Sequence, residues 1–199
     1  NLVGHVKVQA PEYRDDPNMQ HSFVLPENYM PQLSGVEIAG WAPRIKVPAV
    51  VLSERQSRGV QLVAVDPERE DISFFSELTF AGENLADAED GRIVIGAELA
   101  RQLQTKVGRK LLVMTQSADG KNRERGFRIA GTFDADGTSL EKAFAFTGLA
   151  AAQSFLRDQT ASETAGLVTE VSLLLAEEPL REVAVSELET VFPDKDVAD

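Results

Sequence analysis

The hydrophobic period changes twice within residues 92–114, and these changes predict a strand, a short helix and a second strand. Residues 92–95 are a β-branched run, and Gly96 follows them with a backbone that tolerates almost any φ. Apolar positions four apart then predict an amphipathic helix over residues 97–104. After a polar turn, the strand pattern returns at residues 110–115.

Similar patterns predict the remaining elements, and their mixed order indicates the α+β class. Pro43 and Pro48 interrupt an apolar run, so we expect its strand to be bent or to lie at a sheet edge. Asp119 and Gly120 are typical of a tight hairpin turn. The further strands are expected from the chain start to Pro11, at residues 36–52, 60–65, 143–146 and 170–175, and near Gly126. The further helices are expected at residues 25–30, 72–78, 148–156 and 180–192.

The charge balance restricts the class of partner. The chain carries 20 basic and 32 acidic residues, which give a formal net charge of −12. Such an excess repels a nucleic-acid backbone, so we expect no nucleic-acid partner. The chain contains no cysteine, which removes disulfides, thiolate catalysis and cysteine metal sites. Its longest apolar runs fall below the roughly 18–20 residues that cross a bilayer, and its start inside a strand pattern suggests a fragment of a longer protein.

Four segments resemble the periplasmic core domain of MacB-, LolC- and LolE-type ABC-transporter permeases, which are FtsX-like. Residues 92–114 match the pattern IVIG-x-x-LA-x-x-L-x-x-KVG-x-K, and residues 59–67, 127–134 and 143–153 match further segments in the family order. The resemblance implies an extracytoplasmic domain at the periplasmic face of the bacterial inner membrane.

The same resemblance implies a fold of two lobes. Residues 1–68 and 168–199 would form a porter-like, membrane-proximal lobe. Residues 69–167 would form an inserted, Sabre-like lobe of mixed strands and short helices. Because the two lobes would be joined by only two stretches of chain, we expect their relative orientation to be softer than either interior.

The implied function is transport rather than catalysis, so we predict no enzyme activity and no cofactor. The domain would transmit motion driven by a cytoplasmic ABC ATPase, for lipoprotein release or substrate export. One alternative is a MacB-like macrolide or peptide exporter that works with an adaptor and an outer-membrane channel. An alternative of another class is a free-standing secreted binding or hydrolytic protein. The implied partners are a second permease subunit and a periplasmic carrier, adaptor or lipoprotein substrate, and the isolated domain would be monomeric or weakly dimeric.

Candidate chemical sites are few. His5 and His21 are the only histidines, and a metal site at either would need nearby carboxylates, so no metal is predicted. Residues 134–137 resemble the start of a calcium loop but lack its third ligand and its distant Glu, which favours a solvated turn. No Gly-rich phosphate loop occurs, so we expect ATP to be hydrolysed elsewhere in a transporter.

One partner surface is predicted. Phe74, Phe75, Leu78 and Phe80 are four large apolar residues within seven positions. A single short helix can bury only one face of such a group, so the others would be exposed to a partner. The alternative is that all four complete the core of the smaller lobe.

Overall fold

Strands dominate the computed structural model, which describes residues 6–26, 28–157 and 166–198. The strands in these ranges are β1 (Val6–Gln9), β2 (Phe23–Val24), β3 (Ile38–Leu52), β4 (Ser57–Val65), β5 (Thr79–Gly82), β6 (Ile93–Gly96), β7 (Lys110–Gln116), β8 (Asn122–Asp134), β9 (Phe144–Gly148), β10 (Leu167–Val168), β11 (Glu170–Leu175) and β12 (Asp196–Ala198). The α-helices are α1 (Ala97–Gln102), α2 (Leu140–Ala143), α3 (Leu149–Leu156) and α4 (Arg181–Val191). The mixture confirms the predicted α+β class, and no described helix is long and apolar enough to cross a membrane.

The unit at residues 92–114 forms as predicted, with β6, α1 and β7 in succession. Leu99 and Leu103 are fully buried, and the turn before β7 passes through Gly108 with a φ of 86°. Gly96 is required by packing rather than by its φ, because an added Cβ would lie 1.9 Å from the carbonyl oxygen of Glu141. The end of β6 therefore lies directly against α2.

Six strands of the large sheet form a closed ring of pairings. β3 pairs with β4, β4 with β9, β9 with β6, β6 with β8, β8 with β7, and β7 again with β3. One face of these strands carries an aliphatic core that includes Ile45, Leu62, Ile95 and Leu111 and side chains of α1 and α3. The opposite face carries a core rich in phenylalanine. The ring leaves few free strand edges in this part of the sheet.

A second group of strands extends the sheet beyond β3. β11 pairs with β3, β1 pairs with β11, and β12 pairs with β1, all antiparallel. α4 packs on this group and buries Ala184 and Leu188 beside Val6 and Val171. We refer to β1, β11 and β12 as the wing.

β3 is one strand of 15 residues that belongs to both the wing and the ring. It pairs with β11 up to Arg44 and with β4 from Ile45 onwards. Pro43 pairs only with a residue of β11, and Pro48 only with a residue of β4. Because each proline is paired along a single edge of β3, its missing N–H can face the unpaired edge. β3 lies inside the sheet, so the expected position at a sheet edge is wrong, although each proline has a paired neighbour on only one side.

Two further expectations need correction. The helix predicted at residues 25–30 is wrong: Asn28 has a φ of 57°, and the N–H of Tyr29 donates to the carbonyl of Pro26 in a turn. The helix predicted at residues 72–78 is a 3-10 helix, Phe74–Glu77, that follows a second one at Pro67–Ile72.

The pairing of β3 and β4 bears on the division into lobes. Residues 45–65, which the sequence assigned to the porter-like lobe, pair and pack with strands from residues 93–148. The division at residues 68 and 168 stays a prediction, and the strand pairing suggests a boundary within β3, near Arg44.

Candidate functional site

A fully buried arginine marks the point at which β3 passes from the wing to the ring. Arg44 is the last residue of β3 that pairs with β11, and its side chain has no exposed area. Burial of a charge is costly unless it is paired and hydrogen-bonded, so the partners of this guanidinium define the site.

Arg44 contacts two carboxylates and a hydroxyl. Its Nε and Nη2 donate to the two carboxylate oxygens of Glu70 at 2.7 and 2.9 Å, a bidentate pair. Its Nη1 donates to Glu170 at 3.2 Å and to the hydroxyl of Ser172 at 2.8 Å. Both carboxylates have a further donor, the hydroxyl of Ser73 for Glu70 and the amide of Gln9 for Glu170. We call these six residues the junction cluster.

The electrostatics of the junction cluster favour a permanently charged arginine. Burial by itself would lower the pKa of Arg44, but the hydrogen bonds and charges of Glu70 and Glu170 outweigh it and raise the pKa. One guanidinium faces two carboxylates, and all three groups are buried from bulk solvent. The attraction between opposite charges is strong in such a site, and so is the cost of leaving either carboxylate alone.

The junction cluster joins three separate parts of the chain. Glu70 lies in the 3-10 helix that leads from β4 towards β5. Glu170 is the first residue of β11, two positions after the end of β10. Arg44 therefore fastens both chain crossings between the two predicted lobes to the same strand.

Packing around the junction cluster holds the first crossing against β3. A Cβ added at Gly40 would lie 2.4 Å from Cγ2 of Ile72, so the strand and the 3-10 helix are in close contact. The guanidinium of Arg69 lies 4.4 Å from the ring centre of Trp41, which is cation-π distance. Three contacts therefore hold this 3-10 helix against β3. They are the Arg44–Glu70 ion pair, the side chain of Ile72 against the backbone at Gly40, and Arg69 over the ring of Trp41.

Tyr13 is a second buried polar group near the junction cluster. Its hydroxyl donates to the backbone carbonyl of Lys46. The backbone N–H of Lys46 in turn donates to the hydroxyl of Thr169 at 2.9 Å. Burial raises the pKa of Tyr13 above its ordinary value, so the hydroxyl stays a hydrogen-bond donor. The arrangement is suited to holding the 3-10 helix at residues 11–14 onto β3.

Sequence reasoning did not single out the junction cluster. Arg44 is one cation in an apolar run, and Glu170 is one anion at the start of an apolar strand. A charged residue within a run that is otherwise apolar and typical of a buried strand is the sequence signal that could have identified both residues. Glu70 gives no such signal, because it lies among four other charged residues at positions 66–71 and only packing distinguishes it.

The predicted partner surface is largely engaged with the protein itself. Phe75 is 2% exposed, and its ring lies 4.9 Å from that of Phe146 and 5.7 Å from that of Phe80. Phe74, Leu78 and Phe80 are half-buried and pack on the same core. Phe75 therefore belongs to the core, while partner contact by the other three stays a prediction.

The other candidate sites are used by local structure. Glu141 accepts hydrogen bonds from the N–H groups of Ala135 and Gly137, which closes the turn at residues 134–137 internally. His21 lies within 3.4 Å of two exposed carboxylates, and His5 lies outside the described residues. No group of three metal-ligating side chains occurs among the residues that the structure describes.

Comparison with known proteins places this fold among transporter domains. A family model described as MacB-like periplasmic core domain matches residues 3–190. The extracellular domain of the noncanonic ABC-type transporter YknZ from Gram-positive bacteria is similar in structure, with a TM-score of 0.63 and 12% identity over 98% of both chains. A domain of a putative permease protein from Porphyromonas gingivalis gives a TM-score of 0.46 and 16% identity, over 99% of this chain and 91% of that one. No curated protein matches the chain.

Proposed function

This chain belongs to the family of MacB-like periplasmic core domains, and we propose that it passes motion driven by a cytoplasmic ATPase to partners outside the membrane. Membership confirms the predicted family and the predicted extracytoplasmic location. The family is a transport family rather than an enzyme family, so the proposal concerns mechanics and partner contact.

The junction cluster is the observation that carries the proposal. A domain that transmits motion needs a stiff connection between the part that is driven and the part that acts. β3 provides a continuous strand through the wing and the ring, and Arg44 ties to it both the 3-10 helix that follows β4 and the start of β11. Buried, fully hydrogen-bonded ion pairs resist rearrangement, because separating them leaves an unpaired charge in a dry site.

This stiffness differs from the soft orientation expected from the sequence. The wing and the ring would move as one body, and bending would be confined to the chain outside the junction cluster. We place the driven end at the wing, since the resemblance puts the membrane helices next to the strands nearest the two ends of the chain. The acting end is then the ring. A second permease subunit would pair with this domain in the assembled transporter.

The β7–β8 hairpin bears on the transported substrate. By the family resemblance, a LolC-type permease carries a hairpin that binds a carrier protein. Here the turn at residues 117–121 is short and closed on itself, with the hydroxyl of Ser117 and the N–H of Lys121 both bonded to Asp119. A turn closed in this way favours substrate export through an adaptor over delivery of lipoproteins to a carrier.

The test uses the intact transporter with its ATPase. Replacing Arg44 with Met, Glu70 with Gln and Glu170 with Gln together removes the buried charges and the arginine tie without stranding a carboxylate. We expect ATP hydrolysis close to that of the unmodified transporter and transport lowered several-fold. Arg101→Met, at an exposed ion pair, is the matched control. Unchanged transport in the triple variant would contradict the proposal.

A further inference from the structure

Charge is distributed very unevenly over this acidic chain. Residues 53–58 and 97–128 contain ten of the 20 basic residues but only four of the 32 acidic ones. These residues include the β3–β4 turn, α1, β7 and most of β8, which pack together in the ring. These elements together are therefore cationic, while the remainder of the protein is strongly anionic.

A cleft opens where β3 ends and β7 begins. It has a volume of about 880 Å³ and lies between the β3–β4 turn and the turn that joins α1 to β7. Arg55, Lys106, Arg109 and Lys110 line it, with Glu54 as its one acidic lining residue among those described. We call it the basic cleft.

The four cations of the basic cleft are exposed and have no carboxylate partner among the described residues. Their neighbour Arg101, in contrast, pairs with Glu98 on α1. In a protein with such an excess of acid, these four exposed cations are available to attract negative charge on a partner.

Apolar side chains lie among these cations. Leu52 and Leu112 line the basic cleft and pair across β3 and β7, and Leu112 is 36% exposed. Val107, 41% exposed, lies in the same turn as Lys106. Apolar groups bordered by charge are typical of protein interaction sites.

We propose that the basic cleft docks an acidic, amphipathic segment of a partner protein, such as the adaptor that the proposed function requires. The cations stand on the rim at exposed positions, and apolar side chains lie between them. That layout fits an extended segment with alternating acidic and apolar residues better than a small anion, which would need converging donors.

The position of the basic cleft also favours a protein over an anionic membrane. It lies beyond Leu52, at the end of β3 remote from the wing. Leu52 lies eight positions beyond Arg44 along β3, a span of about 27 Å at the usual rise per residue. With the wing next to the membrane, as the proposed function has it, the basic cleft points away from the lipid surface.

A binding measurement on the isolated chain tests this inference. The probe is a fluorescent peptide of five Glu-Glu-Leu repeats, with a Lys-Lys-Leu peptide and a Glu-Glu-Ser peptide as controls for charge and for apolar contact. At an ionic strength of roughly 0.15 M, exposed charges more than about 8 Å apart are largely screened, so diffuse attraction is weak. We expect the Glu-Glu-Leu peptide to bind and both control peptides to bind far less.

Two matched double variants decide the location. Lys106→Glu with Arg109→Glu reverses two charges in the basic cleft, and we expect it to weaken binding of the Glu-Glu-Leu peptide by about tenfold or more. Arg14→Glu with Lys142→Glu makes the same change in net charge at exposed positions elsewhere, and it should leave binding nearly unchanged. Equal losses in both variants would overturn the inference.

Two other outcomes would also overturn it. Inorganic phosphate that displaces the peptide at low millimolar concentration would identify a small-anion site instead. Vesicles of phosphatidylglycerol that bind the chain through Lys106 and Arg109 would identify a membrane contact. These measurements use the isolated chain, so a negative result contradicts peptide binding but not the proposed role in transport. Unchanged transport in the triple variant would contradict the proposed role in transport but not peptide binding.

Discussion

Replacing Arg44 with Met should destabilise the protein more than any exposed charge substitution. Methionine fills much of the same space, but it leaves the buried carboxylates of Glu70 and Glu170 without their cation. Removal of one partner from a buried ion pair costs about 3–5 kcal/mol, because an uncompensated charge stays buried. The loss should be seen as a lower urea midpoint in circular dichroism, with an unchanged slope.

Two further variants distinguish the cost of an unpaired buried charge from a general effect of mutation on stability. Adding Glu70→Gln and Glu170→Gln to Arg44→Met removes the stranded charges, so the triple variant should recover a large part of the lost stability. Arg101→Met breaks a pair in which the arginine is 72% exposed, and it should cost less than about 1 kcal/mol. An Arg44→Met variant as stable as Arg101→Met, or a triple variant no better than the single one, would refute the account of the junction cluster.

Three other substitutions are expected to show specific effects. Phe75→Ala should lower the unfolding free energy, measured in urea, by about 3–5 kcal/mol, because it empties a packed site beside Phe146. If Phe75 were exposed, the same substitution would change the unfolding free energy little. Gly96→Ala should prevent or severely weaken folding, measured as loss of soluble protein, since its Cβ would overlap the chain at α2; a stable variant would contradict that packing. The hydrogen bond from Arg92 holds the pKa of Asp90 at about 2, below its ordinary 3.8, so Asp90 stabilises the fold above that ordinary value and the contribution is lost as pH falls towards 2. Asp90→Asn should therefore cost stability at pH 7 but not near pH 2 in thermal unfolding, and an equal cost at both would contradict the assignment.

Local patterns predicted the elements that local forces determine. The unit at residues 92–114 formed because its change of period places Leu99 and Leu103 on the buried side of one short helix. The helix at residues 25–30 failed because Asn28 adopts a positive φ that ends any helix there, and asparagine tolerates that conformation well.

The connections between elements could not be predicted in the same way. The ring closes only because β7 pairs with β3, two strands separated by more than 55 residues, and no local pattern records that pairing. The junction cluster likewise joins Arg44 to Glu170 across 126 positions of sequence. The tertiary arrangement decides which charged residue is buried. In the sequence, Glu70 cannot be distinguished from the charged residues around it, and only the packing of the 3-10 helix against β3 buries it.

An engineered disulfide tests most directly whether the wing and the ring move as one body. A Cβ at position 40 would lie 3.9 Å from Cβ of Ile72, within the about 3.5–4.5 Å that disulfides need, and these 199 residues contain no other cysteine. Gly40→Cys with Ile72→Cys would then fasten the first crossing to β3 covalently. Transport by the intact permease is measured before and after oxidation. The two cysteines are tested in the otherwise unmodified permease and in the Arg44→Met variant.

We expect oxidation to leave transport by the otherwise unmodified permease unchanged, because the wing and the ring already move together. We also expect oxidation to restore part of the transport lost in the Arg44→Met background, and a reducing agent to remove this gain. Oxidation that abolishes transport in the otherwise unmodified permease would contradict the account, since it would show that the crossing must move against β3 during each transport cycle.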